Sequence, residues 1–453
     1  MTSLFAQRDY RHLFGAQLVA LFGTGLTTVA LGLLAYELAG ADAAAVLGTA
    51  LAIKMIAYVV VAPVAGAYAG RLPRRGMLVT LDVVRASVVL VLPFVDQVWQ
   101  IYVLIVVLQS ASAAFTPTFQ AVLPDILPDK RDYTRALSAS QLASTMESLL
   151  SPLLAAALLG LLSFHWLFTG TSIGFLLSAL LVVTARIPRA ARSDRGGVWR
   201  RTFAGMRIYA ATPRLRGLLG LNLTVAAVGA IVMVHTVNYV QDALARPQAD
   251  VAWLLAANGT GTILVALLLP RVLARLGERT VMLAGGGVLL SGVACAIALP
   301  SDGGGAGHWA ATLGVWAIIG VGTALVLTPV GRVLRRSSRP EGRPAVFAAQ
   351  FSLSHACWLI SYPVAGWLVA DAGFTATWAV LAGPALAGFG IALRCWPRHD
   401  PELLEHVHTS ATADPDHLTD AVETSTGTHR HAHAFVIDED HPRWPTPVRQ
   451  GSP

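Results

Sequence analysis

Charge is scarce in this chain. Of 453 residues only 13% are Asp, Glu, Lys or Arg, where a water-soluble domain carries about a quarter. Lysine is nearly missing: Lys54 and Lys130 stand alone among 33 basic residues. The three cysteines, Cys295, Cys357 and Cys395, form no CxxC pair. That excludes a disulfide framework and a cysteine-built metal centre. No HExxH and no Walker-type phosphate loop occurs, so a zincin protease and an ATP-driven pump lack their motifs. Gly285-Gly286-Gly287 sits inside an apolar run and fits packing better than phosphate binding. The net charge of +7 comes from arginines in loops and implies no nucleic acid. The N-terminal apolar run is too long for a signal-peptide core. No resident cofactor is expected.

What the chain has is apolar residues, 55% of the total. They recur in long runs at about 12–38, 43–69, 77–95, 98–121, 136–162, 165–186, 214–241, 251–274, 280–299, 309–331, 345–370 and 374–396. About twenty apolar residues carry an α-helix across a bilayer, and a helix satisfies its own backbone there. The fold class is therefore all-α integral membrane, with twelve expected transmembrane helices.

Arginine fixes the expected orientation. Arg8 and Arg11 precede the first run; Arg71, Arg74 and Arg75 follow the second; Lys130, Arg131 and Arg135 follow the fourth. The connection after the sixth holds seven arginines between Arg186 and Arg207, and further arginines follow the eighth and tenth. The alternate loops hold Arg246 alone. Cationic loops stay in the cytoplasm. Both termini are expected there, in a multi-pass protein of the bacterial inner membrane.

The longest connection divides the runs six and six. The expected domains are a first bundle at 1–186, a basic linker at 187–213, a second bundle at 214–396 and a tail at 397–453. The halves echo each other: Thr116-Pro117 matches Thr328-Pro329, Gln141 matches Gln350, and Pro152 matches Pro363. Paired six-helix repeats recur in secondary transporters. At these residues the chain resembles the major facilitator superfamily. That family carries G-x-x-x-D-R-x-G-R-R/K between its second and third spans. Gly66, Arg71, Arg74 and Arg75 match it, while Gly70 and Pro73 replace its aspartate and second glycine. The resemblance implies a latch between the halves at this loop. Asp82 and Arg85, three apart on a helix face, are expected to supply the missing charge pair.

Ionisable residues at membrane depth are functional candidates by default. Glu147 and His355 fall near the middle of the fifth and eleventh runs, at corresponding points of the two repeats. Lys54 lies in the second, and His235 and Asn238 lie three apart in the seventh. These five are the candidate coupling or substrate residues.

After Trp396 the composition turns polar, with four arginines against ten acidic residues, as in disordered segments. Eight histidines fall here, among them His406, His408, His429, His431, His433 and His441. Histidine-rich tracts read as metal-binding, and His429, His431 and His433 share a face if extended. The segment from His433 to Pro445 is similar to the tail ends of the nickel-resistance branch of the same superfamily. That resemblance implies proton-driven efflux of nickel or cobalt ions. The alternatives are export of a drug-like or siderophore-like molecule, and a membrane enzyme or metal sensor without flux. The expected partners are the cargo, protons and the bilayer, with the protein a monomer and not an enzyme.

Overall fold

The computed structural model describes residues 4–68, 73–127, 129–187, 205–273, 275–299, 306–339 and 343–398, with Asp400 and tail segments 403–409, 422–425, 428–433, 435–437, 441 and 444–445. Arg71 of the loop motif lies outside these residues, as does the linker at 188–204. The first half comprises α1 (Arg8–Ala39), α2 (Ala43–Tyr68), α3 (Arg74–Val91), α4 (Val98–Ile126), α5 (Lys130–Leu159) and α6 (His165–Thr184). The second comprises α7 (Pro213–Asn238), α8 (Ala249–Leu273), α9 (Glu278–Ala298), α10 (Ala306–Leu327), the short α11 (Val330–Arg336) and α12 (Arg343–Cys395).

The helix breaks follow residue chemistry. Gly40, at φ 54°, turns α1 into the short connection to α2. Gly373, at φ 78°, breaks α12 into two helices. Both sit in the left-handed region that glycine enters without a Cβ penalty. Gln97 and Gln100 form a reciprocal capping box at the start of α4, which satisfies two orphan N–H groups. Pro329 separates α10 from α11, because it cannot donate the helical hydrogen bond.

Nine described stretches are long and apolar enough to cross a membrane. The first, Arg8–Val61, contains both α1 and most of α2. α5 and the first part of α12 are as long but more polar. Trp99, Trp166, Trp253 and Trp367 are all exposed and lie toward the face that holds the Gly40 turn. Tryptophan collects at membrane interfaces, so these rings mark one edge of the apolar belt.

Glycine permits the close contact between halves. A Cβ on Gly48 of α2 would stand 2.8 Å from Gly366 Cα of α12 and 2.9 Å from the Tyr362 carbonyl oxygen. A Cβ on Gly259 of α8 would stand 2.8 Å from Leu153 Cβ of α5. Small residues let helix backbones approach where lipid supplies no hydrophobic drive. Polar bonds reinforce this side: Tyr36 Oη donates to Asp242 at 2.5 Å, and Asn238 Nδ2 donates to the Gly40 carbonyl at 3.2 Å.

Parts of the tail lie among the described residues. Strands β1 (Leu404–Thr409), β2 (Val422–Ser425) and β3 (Thr428–His433) form an antiparallel sheet in the order β1-β3-β2. Phe435, Val436 and Ile437 are buried at 4%, 7% and 5% exposure. Arg214 at the start of α7 donates to the Phe435 carbonyl at 3.1 Å and lies 4.9 Å over the Trp444 ring. A low-hydrophobicity average concealed a local apolar anchor. His441 belongs to that anchor, 3% exposed and 4.7 Å from the Phe435 ring.

Candidate functional site

The centre of the bundle gathers charge from three helices. Lys54 and Tyr58, four apart, share a face of α2. Glu147 and Ser151, four apart, share a face of α5. Phe351 and His355 do the same on α12. Residues at this spacing are neighbours on a helix surface. The Lys54 ammonium lies within electrostatic range of both the Glu147 carboxylate and the His355 ring. All three sit deep among protein atoms yet keep some accessible surface.

Aromatic rings hold the histidine. Tyr58 stacks on His355 with centroids 5.1 Å apart and planes at 20°. Phe351 lies 4.0 Å from the same ring. His355 Nδ1 is 2.6 Å from the Phe351 carbonyl oxygen. A carbonyl only accepts, so Nδ1 carries the hydrogen and Nε2 is left to accept a proton or meet a cargo. The stack joins α2 of the first half to α12 of the second.

Gly25 of α1 makes room for the carboxylate. A Cβ there would fall 2.0 Å from Ser151 Oγ, 2.4 Å from Ser151 Cβ and 2.6 Å from Glu147 Oε1. Ser151 Oγ donates to Glu147 Oε1 at 3.5 Å. Overpacking at such a contact costs about 1–3 kcal/mol. Gly25→Val is therefore expected to push α1 from α5 and displace Glu147. Measured flux in a folded, monodisperse Gly25→Val protein should fall to a small fraction of wild type; normal flux would show that the contact yields freely.

Asp82 and Arg85 do pair, both fully buried. The contacts of the pair lie within the first half. Asp82 Oδ2 accepts from Ser178 Oγ of α6 at 2.8 Å. The Arg85 guanidinium lies 4.2 Å from the Phe115 centroid and 4.4 Å from that of Phe175. It locks α3, α4 and α6 inside the first half. Arg75 donates to the Val183 carbonyl of α6, again within that half. Gly66 falls in α2 and Arg74 begins α3.

His235 and Asn238 go separate ways. His235 Nε2 donates to the Ala365 carbonyl at 2.8 Å inside the second half. Asn238 bonds across to Gly40 and Ala41, and to Asp242 at 2.8 Å. Both are almost fully buried and serve helix packing, away from the central cluster. Asn258 and Gln350 likewise join segments, through the Trp316 carbonyl and the Tyr209 hydroxyl. Gly170-Thr171-Ser172-Ile173-Gly174 has the G-x-S-x-G form of hydrolases. It lies within α6, where Ser172 donates to the Ala86 carbonyl at 2.9 Å, so it lacks the strand-to-helix turn that exposes a nucleophile.

At the face opposite the Gly40 turn, a charged network ties the second half together. Asp400 lies 3.6 Å from Arg214 and 3.4 Å from Arg336. Glu278 lies 2.9 Å from Arg332 and 3.8 Å from Arg336. Sequence reading missed this network, because Asp400 falls beyond the last apolar run. Among the described residues no three His, Cys, Asp or Glu side chains converge as metal ligands. The side chains of His406, His408, His429, His431 and His433 lie outside that description.

The sequence model of the Major Facilitator Superfamily matches residues 13–240 and again 217–419. The chain is 25% identical over 223 residues to the uncharacterized MFS-type transporter YfiS of Bacillus subtilis (strain 168). That match spans 47% of this chain and about half, 52%, of the relative. Among solved structures, the nucleoside transporter NupG superposes with a TM-score of 0.63 at 14% identity, covering 86% of this chain and 99% of that one. An auto-inhibited POT family peptide transporter gives 0.65 at 15% identity, covering 87% and 98%. A bacterial homolog of the human lysosomal transporter Spinster, inward-facing and unoccupied, gives 0.57 at 14%, covering 87% and 95%. These structural likenesses carry the fold.

Proposed function

This chain belongs to the Major Facilitator Superfamily, and from that premise we propose that it is a proton-coupled exporter of a small organic solute. Glu147 is the proton-binding residue, Lys54 its counter-ion, and His355 a cargo contact. The observation that carries this is that Lys54 of the first half lies within electrostatic range of both Glu147 and His355, the last from the second half. Intramembrane ionisable groups are costly and mark ion and substrate pathways. The Glu147 carboxylate, beside the Lys54 ammonium, takes either a proton or a cargo: deprotonated it is open to a cargo, and protonated it gives the cargo up, so bound proton and bound cargo exclude each other. That exchange couples cargo to protons without ATP.

The cluster fits an organic solute better than the nickel or cobalt ion expected from sequence. Lys54 places a positive charge where a bare divalent cation would sit, and like charges repel strongly at low dielectric. Tyr58 and Phe351 instead offer flat apolar surface beside polar groups, the usual lining of an organic-ligand site. Export of a divalent metal is the second reading, favoured by the histidines of the tail. Direction follows the sequence resemblance, with both termini in the cytoplasm and twelve spans.

The test is flux in proteoliposomes across a panel of nucleosides, peptides, drug-like amines and divalent metals, with and without a pH gradient. The proposal expects one organic class to move, and to stop when the gradient is collapsed by a protonophore. Metal flux with no organic flux would transfer the assignment to the second reading. No gradient-dependent flux of any kind would contradict both.

A further inference from the structure

Lys54 is one of only two lysines among 33 basic residues, and it lies in the middle of α2 rather than in a loop. Where nearly every other cation is arginine, a compact ammonium with three donors stands here in place of a planar fork. Among the described residues that ammonium makes no hydrogen bond and no ion pair. It acts on Glu147 through space, while Glu147 takes its hydrogen bond from Ser151. A charge at membrane depth is costly and normally pairs. Here two opposite charges stand in range of each other without bonding, and each residue keeps accessible surface.

His355 supplies a third group. Its Nδ1 hydrogen goes to the Phe351 carbonyl, which leaves Nε2 as an acceptor. The cluster thus offers one cation, one anion and one neutral acceptor. Tyr58 and Phe351 lie against the imidazole. Trp358, three beyond His355, continues that face of α12, and a Cβ on Gly229 of α7 would stand 2.6 Å from its Cη2. Phe351 and Trp358 are half-buried, so their rings keep accessible surface. A solute with a single positive charge would set a second cation beside Lys54, where like charges repel strongly. A solute with a single negative charge would face Glu147 in the same way. A solute carrying both charges answers both groups and leaves the loaded cluster with no net charge.

We propose that the cargo is a zwitterion bearing an aromatic ring, with its anionic group on Lys54, its ammonium shared between Glu147 and His355 Nε2, and its ring beside Tyr58 and Phe351. This rests on the reading of the cluster as the cargo site, and it narrows the organic solute to one charge class. A proton and the cargo ammonium compete for Glu147, while the anionic group stays with Lys54. Lys54 is then the residue that sets specificity, because it separates a zwitterion from an amine with the same ring.

The test is calorimetric titration of the full-length protein in detergent at neutral pH with two sets of compounds. One set is phenylalanine, phenethylamine and phenylpropionate; the other is tryptophan, tryptamine and indolepropionate. Each set keeps one ring and varies the charged groups. In wild type the zwitterion of at least one set is expected to bind about tenfold or more tightly than its amine or its acid, since an unmatched shielded charge is costly. Lys54→Met should shrink or reverse the preference for zwitterion over amine, and Lys54→Arg should keep it. General damage to the fold would weaken both ligands alike and leave their ratio unmoved, and the wild-type comparison needs no variant. Equal binding of amine and zwitterion in wild type, an unchanged ratio in a folded Lys54→Met protein, or no binding in either set would overturn the inference. Gradient-driven flux of another organic class would then leave the transport reading standing. Zwitterion binding with the expected ratio but no gradient-driven flux would instead end the transport reading and keep the binding site.

Discussion

Glu147→Gln is expected to reduce pH-gradient-driven flux to that of empty vesicles, while exchange of cargo for cargo continues. Glutamine keeps the size and the hydrogen bond to Ser151 but cannot take up or release a proton. The helices around it have no reason to rearrange, so the protein should purify in normal yield. Lys54→Met tests the partner by removing the positive charge within electrostatic range of the Glu147 carboxylate. It is expected to depress coupled flux strongly too. Gradient-driven transport that survives in Glu147→Gln would remove this residue from coupling; loss of folded protein would make it structural.

The largest expected effect on stability lies at Asp82. Asp82→Ala leaves the Arg85 guanidinium fully buried, against the Phe115 and Phe175 rings and without its carboxylate. Removing one member of a buried pair costs about 3–5 kcal/mol, whereas replacing both by apolar residues is often neutral. The melting temperature of Asp82→Ala in detergent should fall clearly below wild type. The double variant Asp82→Leu with Arg85→Met should recover most of the loss. An unchanged melting temperature in Asp82→Ala would show that the pair contributes nothing to holding α3, α4 and α6 together.

Much of the fold was legible because lipid imposes a simple rule: long apolar runs must be helices. Glu147 and His355 were visible as isolated polar residues at matching depth. Their partners were less so. Tyr58 and Phe351 look like ordinary core aromatics, and only their four-residue spacing from Lys54 and His355 signals a shared face. Gly25 is one glycine among 41; nothing marks it until α5 is seen against it. His235 and Asn238 misled because sequence spacing gives a shared face but not the neighbour that face meets. Asp82 and Arg85 pair as their spacing predicted, but i, i+3 spacing says nothing about which helices surround a pair. The tail sheet had a signal, the alternation in His406-Val-His408 and His429-Arg-His431-Ala-His433, masked by its polar composition.

The central claim is that Glu147 exchanges a proton for cargo. The most direct measurement is proton release from purified protein in weakly buffered detergent, followed with a pH dye as cargo is added. Wild type should release protons in proportion to bound cargo, and Glu147→Gln should bind cargo with no release. Equal release from both proteins would contradict the account.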